Sequence, residues 1–70
     1  MNKISNARKV IGITQSELAK ILGWSQSRIG NYESGIRTPD LHSCREIVLA
    51  LNSFGGMYCL DDIFPPKKAA

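Results

Sequence analysis

The run from Thr14 to Gly35, TQSELAKILGWSQSRIGNYESG, narrows the folds open to this chain more than any other stretch. Thr14 followed three residues later by Glu17 is a capping box, which satisfies two otherwise unpaired amides at a helix start. Leu18, Ala19, Ile21 and Leu22 recur at helical spacing and predict a buried face for the helix that follows. Gly23 stops that helix, because its end calls for a left-handed residue that glycine adopts without a Cβ clash. Ser25 is placed as the next N-cap, with Ile29 and Tyr32 as the inward stripe of a second helix ending at Gly35. Ala19 provides the small side chain that two steeply crossing helices need where their backbones approach.

This arrangement leaves Gln26, Ser27, Arg28 and Asn31 facing outward from the first turns of the second helix. Amide, hydroxyl and guanidinium groups are the side chains that read base edges in a DNA major groove. Packing does not by itself require polar groups of this kind on one helical face.

The segment ITQSELAKILGWSQSRIGNYESG resembles the helix-turn-helix of the lambdoid phage repressor and Cro family, within the wider Xre-type regulator group. The resemblance rests on TQ-x-E-LA, Gly23, Ser25-Gln26, Ile29 and the pair Glu33 and Gly35, and it extends over roughly Ile4 to Asn52. It implies an all-α, compact four- to five-helix DNA-binding domain with the helix-turn-helix at 15–34. It also implies a transcriptional repressor of Cro type that covers operator DNA as a dimer, the chain's length favouring Cro over longer repressors. Gln15 is then expected on a phosphate, buttressing a Gln26 that is held against a base. The resemblance further implies an ion pair between Arg8 and Glu33, with a solvated Arg8 as the alternative. For Arg37 it implies a phosphate or narrow minor groove, with a mobile surface arginine as the alternative. The amides near Gln15 and Ser25 offer further phosphate contacts.

Charge is distributed in keeping with a polyanionic partner. Residues 1–39 carry six basic side chains against Glu17 and Glu33, a balance of +4, whereas residues 40–64 carry Arg45 against four acids, a balance of −3. The overall +3 therefore understates the basic character of the half that holds the reading helix. Cys44 and Cys59 make no disulfide framework, and no secretory segment or membrane-length apolar run is present, so a cytoplasmic protein with free thiols is expected. His42, Cys44 and Cys59 lack metal-ligand spacing, and no cofactor or small-molecule substrate is expected. One histidine and no glycine-rich phosphate loop argue against an enzyme. RNA binding lacks an aromatic platform. An antitoxin-like module that binds a protein first and DNA second stays open as the alternative.

The rest of the chain frames the motif. Asn2 to Ile11 predicts a first helix with Ile4, Ala7 and Ile11 inward and Val10 beside them. Trp24 is expected to cover the edge of the core with its N–H at the surface. After the loop 35–39, Asp40 is placed to cap a fourth helix whose apolar face is Leu41, Cys44, Ile47, Val48 and Leu51, ended by a left-handed Asn52. Residues 53–60 read equally as a link or as part of a short β-ribbon, and Leu60 to Phe64 as a helical turn or two. One domain over 1–64 and a disordered tail over 65–70 follow, with Lys67 and Lys68 in that tail. Phe54, Met57, Tyr58 and Phe64 are more apolar surface than so short a segment buries alone, which predicts a homodimer interface there.

Overall fold

The computed structural model describes residues 2–66, which form five helices and no strand. In chain order they are α1 Ile4–Ile11, α2 Gln15–Leu22, α3 Gln26–Ser34, α4 Leu41–Ser53 and α5 Leu60–Ile63. The predicted capping box is present: Glu17 N donates to Thr14 Oγ1 at 3.1 Å and Thr14 N donates to Glu17 Oε1 at 2.9 Å. Ser25 Oγ and Asp40 Oδ1 cap α3 and α4 in the same way, accepting from the amides of Arg28 and Ser43. Hydrogen bonds from the Ser43 backbone and side chain hold the Asp40 carboxyl below its ordinary range. The first helix begins at Ile4 and not at Asn2, whose side chain instead accepts from Ile4 N and donates to Tyr32 O at 2.7 Å. The start of the chain is thereby fastened to the end of α3.

Every helix contributes to one core. Ile4, Leu18, Ile29, Ile47, Leu51 and Ile63 are its largest fully buried side chains. Ala19 is buried among them, and the corner after it closes through Trp24 N donating to Ala19 O at 2.9 Å. Gly23 has φ 71°, the left-handed conformation that the turn between α2 and α3 requires. Burial pushes the half-buried Cys44 thiol upward, consistent with a small packing residue.

Three apolar side chains, Ile21, Val10 and Leu41, depart from the inward faces expected of them. Ile21 is 52% exposed, Val10 80% and Leu41 55%, and Leu49 lies open on α4. Successive residues of a helix turn by about 100°, so a short helix against a small core buries only a narrow stripe. In α2 that stripe is Leu18, Ala19 and Leu22, and Ile21 falls about 100° from its centre. Val10 and Leu41 stand at similar angles to the stripes of α1 and α4.

The end of α4 differs from the expectation as well. Asn52 is helical, and the left-handed residue is Gly55 at φ 101°. The Asn52 side chain accepts from Tyr58 N and donates to Tyr58 O, both at 2.8 Å. A carboxamide thus supplies the donor and acceptor that a neighbouring strand would offer, and the extended segment after Gly56 needs no β-ribbon partner. The Tyr58 ring folds back onto Gly56, where a β-carbon would come within 2.8 Å of it. Lys67 and Lys68 of the predicted tail lie outside the described residues.

Candidate nucleic-acid interface

The first turn of α3 is presented to solvent because its opposite side is committed to Ile29 and Tyr32. Ser25, Gln26 and Ser27 are exposed, and Asn31 is half-buried one turn further on. Arg37 is exposed in the loop that follows, its N–H donating to Asn31 O at 3.2 Å. Arg37 therefore stands off the end of α3, on backbone anchored to that helix.

Beneath this surface runs a chain of polar contacts linking α1, α2 and α3. Arg8 Nε donates to Glu33 Oε2 at 2.9 Å and Nη2 to Glu33 Oε1 at 3.1 Å, a bidentate pair. The two side chains are only 13% and 8% exposed. Arg8 Nη1 also donates to Ile13 O, which ties the pair to the α1–α2 link. Gln15 Nε2 then donates to Glu33 Oε1 at 3.1 Å, and Gln26 Nε2 donates to Gln15 Oε1 at 3.4 Å. Ser16 Oγ donates to Gln26 Oε1 at 2.8 Å. Gln26 is thus held at both ends of its amide by α2. Each end retains capacity, one N–H on Nε2 and one lone pair on Oε1, the complement of an adenine edge.

Ser16 is a member of this set that sequence reasoning did not single out. Its only signal was its place in the first turn of α2, beside Gln15. Arg28 departs from the outward reader expected of it: its side chain turns back onto Trp24, Tyr32 and Ser43. Trp24 is half-buried at the core edge, edge-on to Tyr32 with ring centres 6.1 Å apart.

The four aromatic and apolar residues expected to form one interface are not brought together. Phe54, Tyr58 and Phe64 are each half-buried against the core. Phe54 lines a groove with Lys20 and Ile21, Tyr58 one with Asn6 and Val10, and Phe64 one with Asn2, Tyr32 and Arg37. Met57 alone is freely exposed, at 95%.

Gly30 sits on the same side of α3 as Gln26, under the Gln15 side chain. A β-carbon there would lie 3.6 Å from Gln15 Oε1, an ordinary contact. Glycine inside a helix costs about 0.5–1 kcal/mol relative to alanine. Gly30→Ala is therefore expected to raise the melting temperature by about 2–8 °C without displacing Gln15. A lowered melting temperature would show that the α2–α3 contact is tighter than this geometry.

The profile of the helix-turn-helix family matches residues 4–53, which span α1 to the end of α4. The chain belongs to the helix-turn-helix family. Neither a curated protein nor a solved structure gives a significant match to it. Membership places this helix-turn-helix domain among sequence-specific DNA-binding transcriptional regulators, with double-stranded DNA as its partner. No helix among the described residues is long and apolar enough to cross a membrane.

Proposed function

We propose that this helix-turn-helix protein is a transcriptional repressor of the phage or prophage Cro type. It binds operator DNA as a dimer, with α3 in the major groove, and represses by excluding polymerase from the promoter. The observation that carries this reading is the Gln15–Gln26 contact. It pre-orients an exposed amide whose remaining donor and acceptor match a base edge, and it hangs from a nearly buried ion pair. Preorganisation of this kind has no packing purpose, because Gln26 is exposed. Gln15, Arg37, Lys9 and the starts of α2 and α3 supply the phosphate contacts, and Gln26, Ser27 and Asn31 the base contacts.

A single domain offers few contacts, and two-fold dimers on near-palindromic sites are the common remedy. The dimer forms through the segment that follows α4, with the exposed Met57 as its centre. Met57→Asp is the informative substitution, since Asp at Phe54 or Tyr58 would also disturb packing.

Footprinting on the DNA flanking the protein's own gene, followed by titration at several salt concentrations, tests the proposal. A dimer neutralising about 4–8 phosphates should give a slope of log K on log salt of roughly −4 to −7. Sedimentation should show concentration-dependent dimers that Met57→Asp weakens. A flat salt dependence, or a protein that binds one copy at a time, would overturn the mechanism.

A further inference from the structure

Arg28 leaves α3 next to the exposed Gln26 and Ser27, yet its guanidinium is folded into the protein. Its carbon lies 3.7 Å from the centre of the Trp24 ring, over the indole face. Nε donates to Tyr32 Oη at 3.1 Å, and Nη2 donates to Ser43 Oγ at 3.2 Å. One side chain therefore joins the corner after α2, the later part of α3 and the first turn of α4. Ser43 is 5% exposed, so the arginine supplies a donor to a buried hydroxyl oxygen.

This seat conflicts with reading DNA. A guanidinium recognises guanine or phosphate best through two parallel N–H groups on one edge. The Nε–Nη2 edge of Arg28 is already divided between Tyr32 and Ser43 and one face is covered by Trp24, so the seated side chain has only its Nη1–Nη2 edge for a further partner. Swinging out would remove the donor that the buried Ser43 hydroxyl oxygen accepts from and uncover the indole. We infer that Arg28 is a positioning residue of the DNA-reading surface. It contacts neither base nor phosphate, and it fixes the angle of α3 against the corner and α4 so that Gln26, Ser27 and Asn31 meet base edges in one register. This assignment rests on the DNA-binding function proposed above.

Trp24 is the only tryptophan, so its emission reports the seat in the absence of DNA. The variants are Arg28→Ala, Arg28→Lys and Ser43→Ala, each titrated against cognate and single-base-changed duplexes over a range of salt. Arg28→Ala should shift Trp24 emission and lower discrimination between duplexes about 2- to 10-fold. Its salt slope should stay that of wild type. Ser43→Ala should lower discrimination in the same direction and add little in the double mutant. Arg28→Lys keeps the charge but not the planar fork, and should resemble Arg28→Ala. Should Arg28→Ala fold poorly, Arg28→Lys and Ser43→Ala carry the same comparison. A salt slope that falls in magnitude by about 0.9 per half-site would make Arg28 a phosphate contact and overturn the assignment. Lost preference at a single guanine, with Ser43→Ala unchanged, would make it a base reader and also overturn it. A wild type with no sequence preference overturns both this assignment and the DNA-reading function, which distinguishes the two failures.

Discussion

Arg8→Ala is expected to destabilise the domain by up to about 3–5 kcal/mol, because it leaves the Glu33 carboxylate nearly buried with Gln15 as its remaining side-chain donor. Domains of this size have total stabilities of only about 4–10 kcal/mol, so such a loss should lower the melting temperature by tens of degrees. Glu33→Ala should cost less. The stranded arginine keeps Ile13 O as an acceptor, and its long side chain can turn toward water. Thermal melts of both single mutants and the double mutant separate the terms. The double mutant should be far more stable than the sum of the single losses predicts, since the second substitution removes the charge that the first left unpaired. Strictly additive losses would mean that the pair contributes nothing as a pair.

The same pair separates stability from recognition. Replacing both residues with apolar ones of similar size, as in Arg8→Met with Glu33→Leu, is often neutral for a buried ion pair. That double mutant retains a packed junction between α1 and α3 but gives Gln15 no acceptor at Glu33 Oε1. It should therefore fold and yet discriminate poorly among duplexes.

The local grammar of the chain was readable because its causes are local. Thr14, Glu17, Gly23, Ser25 and Asp40 each act within about four residues, and their caps and turns stand where the residue types put them. Stripe edges were not readable. Ile21, Val10 and Leu41 are apolar and near the right angle, and only the width of the packed core decides that they stay outside. The segment after α4 was ambiguous because an extended run looks the same whether its partner is a strand or the Asn52 carboxamide. Arg28 shows a third kind of limit. A helical wheel gives the direction in which a side chain leaves the backbone, but not that a long one folds back onto an indole contributed by the corner. The Arg8–Glu33 contact spans 25 residues of sequence, and only family resemblance, not spacing, suggested it.

Gln26→Ala is expected to leave the fold intact and remove about 1–3 kcal/mol of binding at the cognate site. The side chain is exposed and its partners, Gln15 and Ser16, are polar groups at the surface of α2, so truncation opens no cavity. Glutamine carries no charge and releases no counterions, so binding to random duplex and the salt slope should be almost unchanged. Gln15→Ala should behave differently. Its amide receives Gln26 and donates to Glu33, so its removal frees Gln26 to sample other rotamers besides deleting the phosphate contact proposed for it. Binding should weaken on both cognate and random DNA, and the preference at the base read by Gln26 should broaden. Because the two residues act through one contact, the double mutant should discriminate no worse than Gln26→Ala alone. The measurement is a titration of wild type, both single mutants and the double mutant against cognate and single-base-changed duplexes at one salt concentration. If Gln26→Ala binds cognate DNA as wild type does, α3 does not read DNA through its first turn.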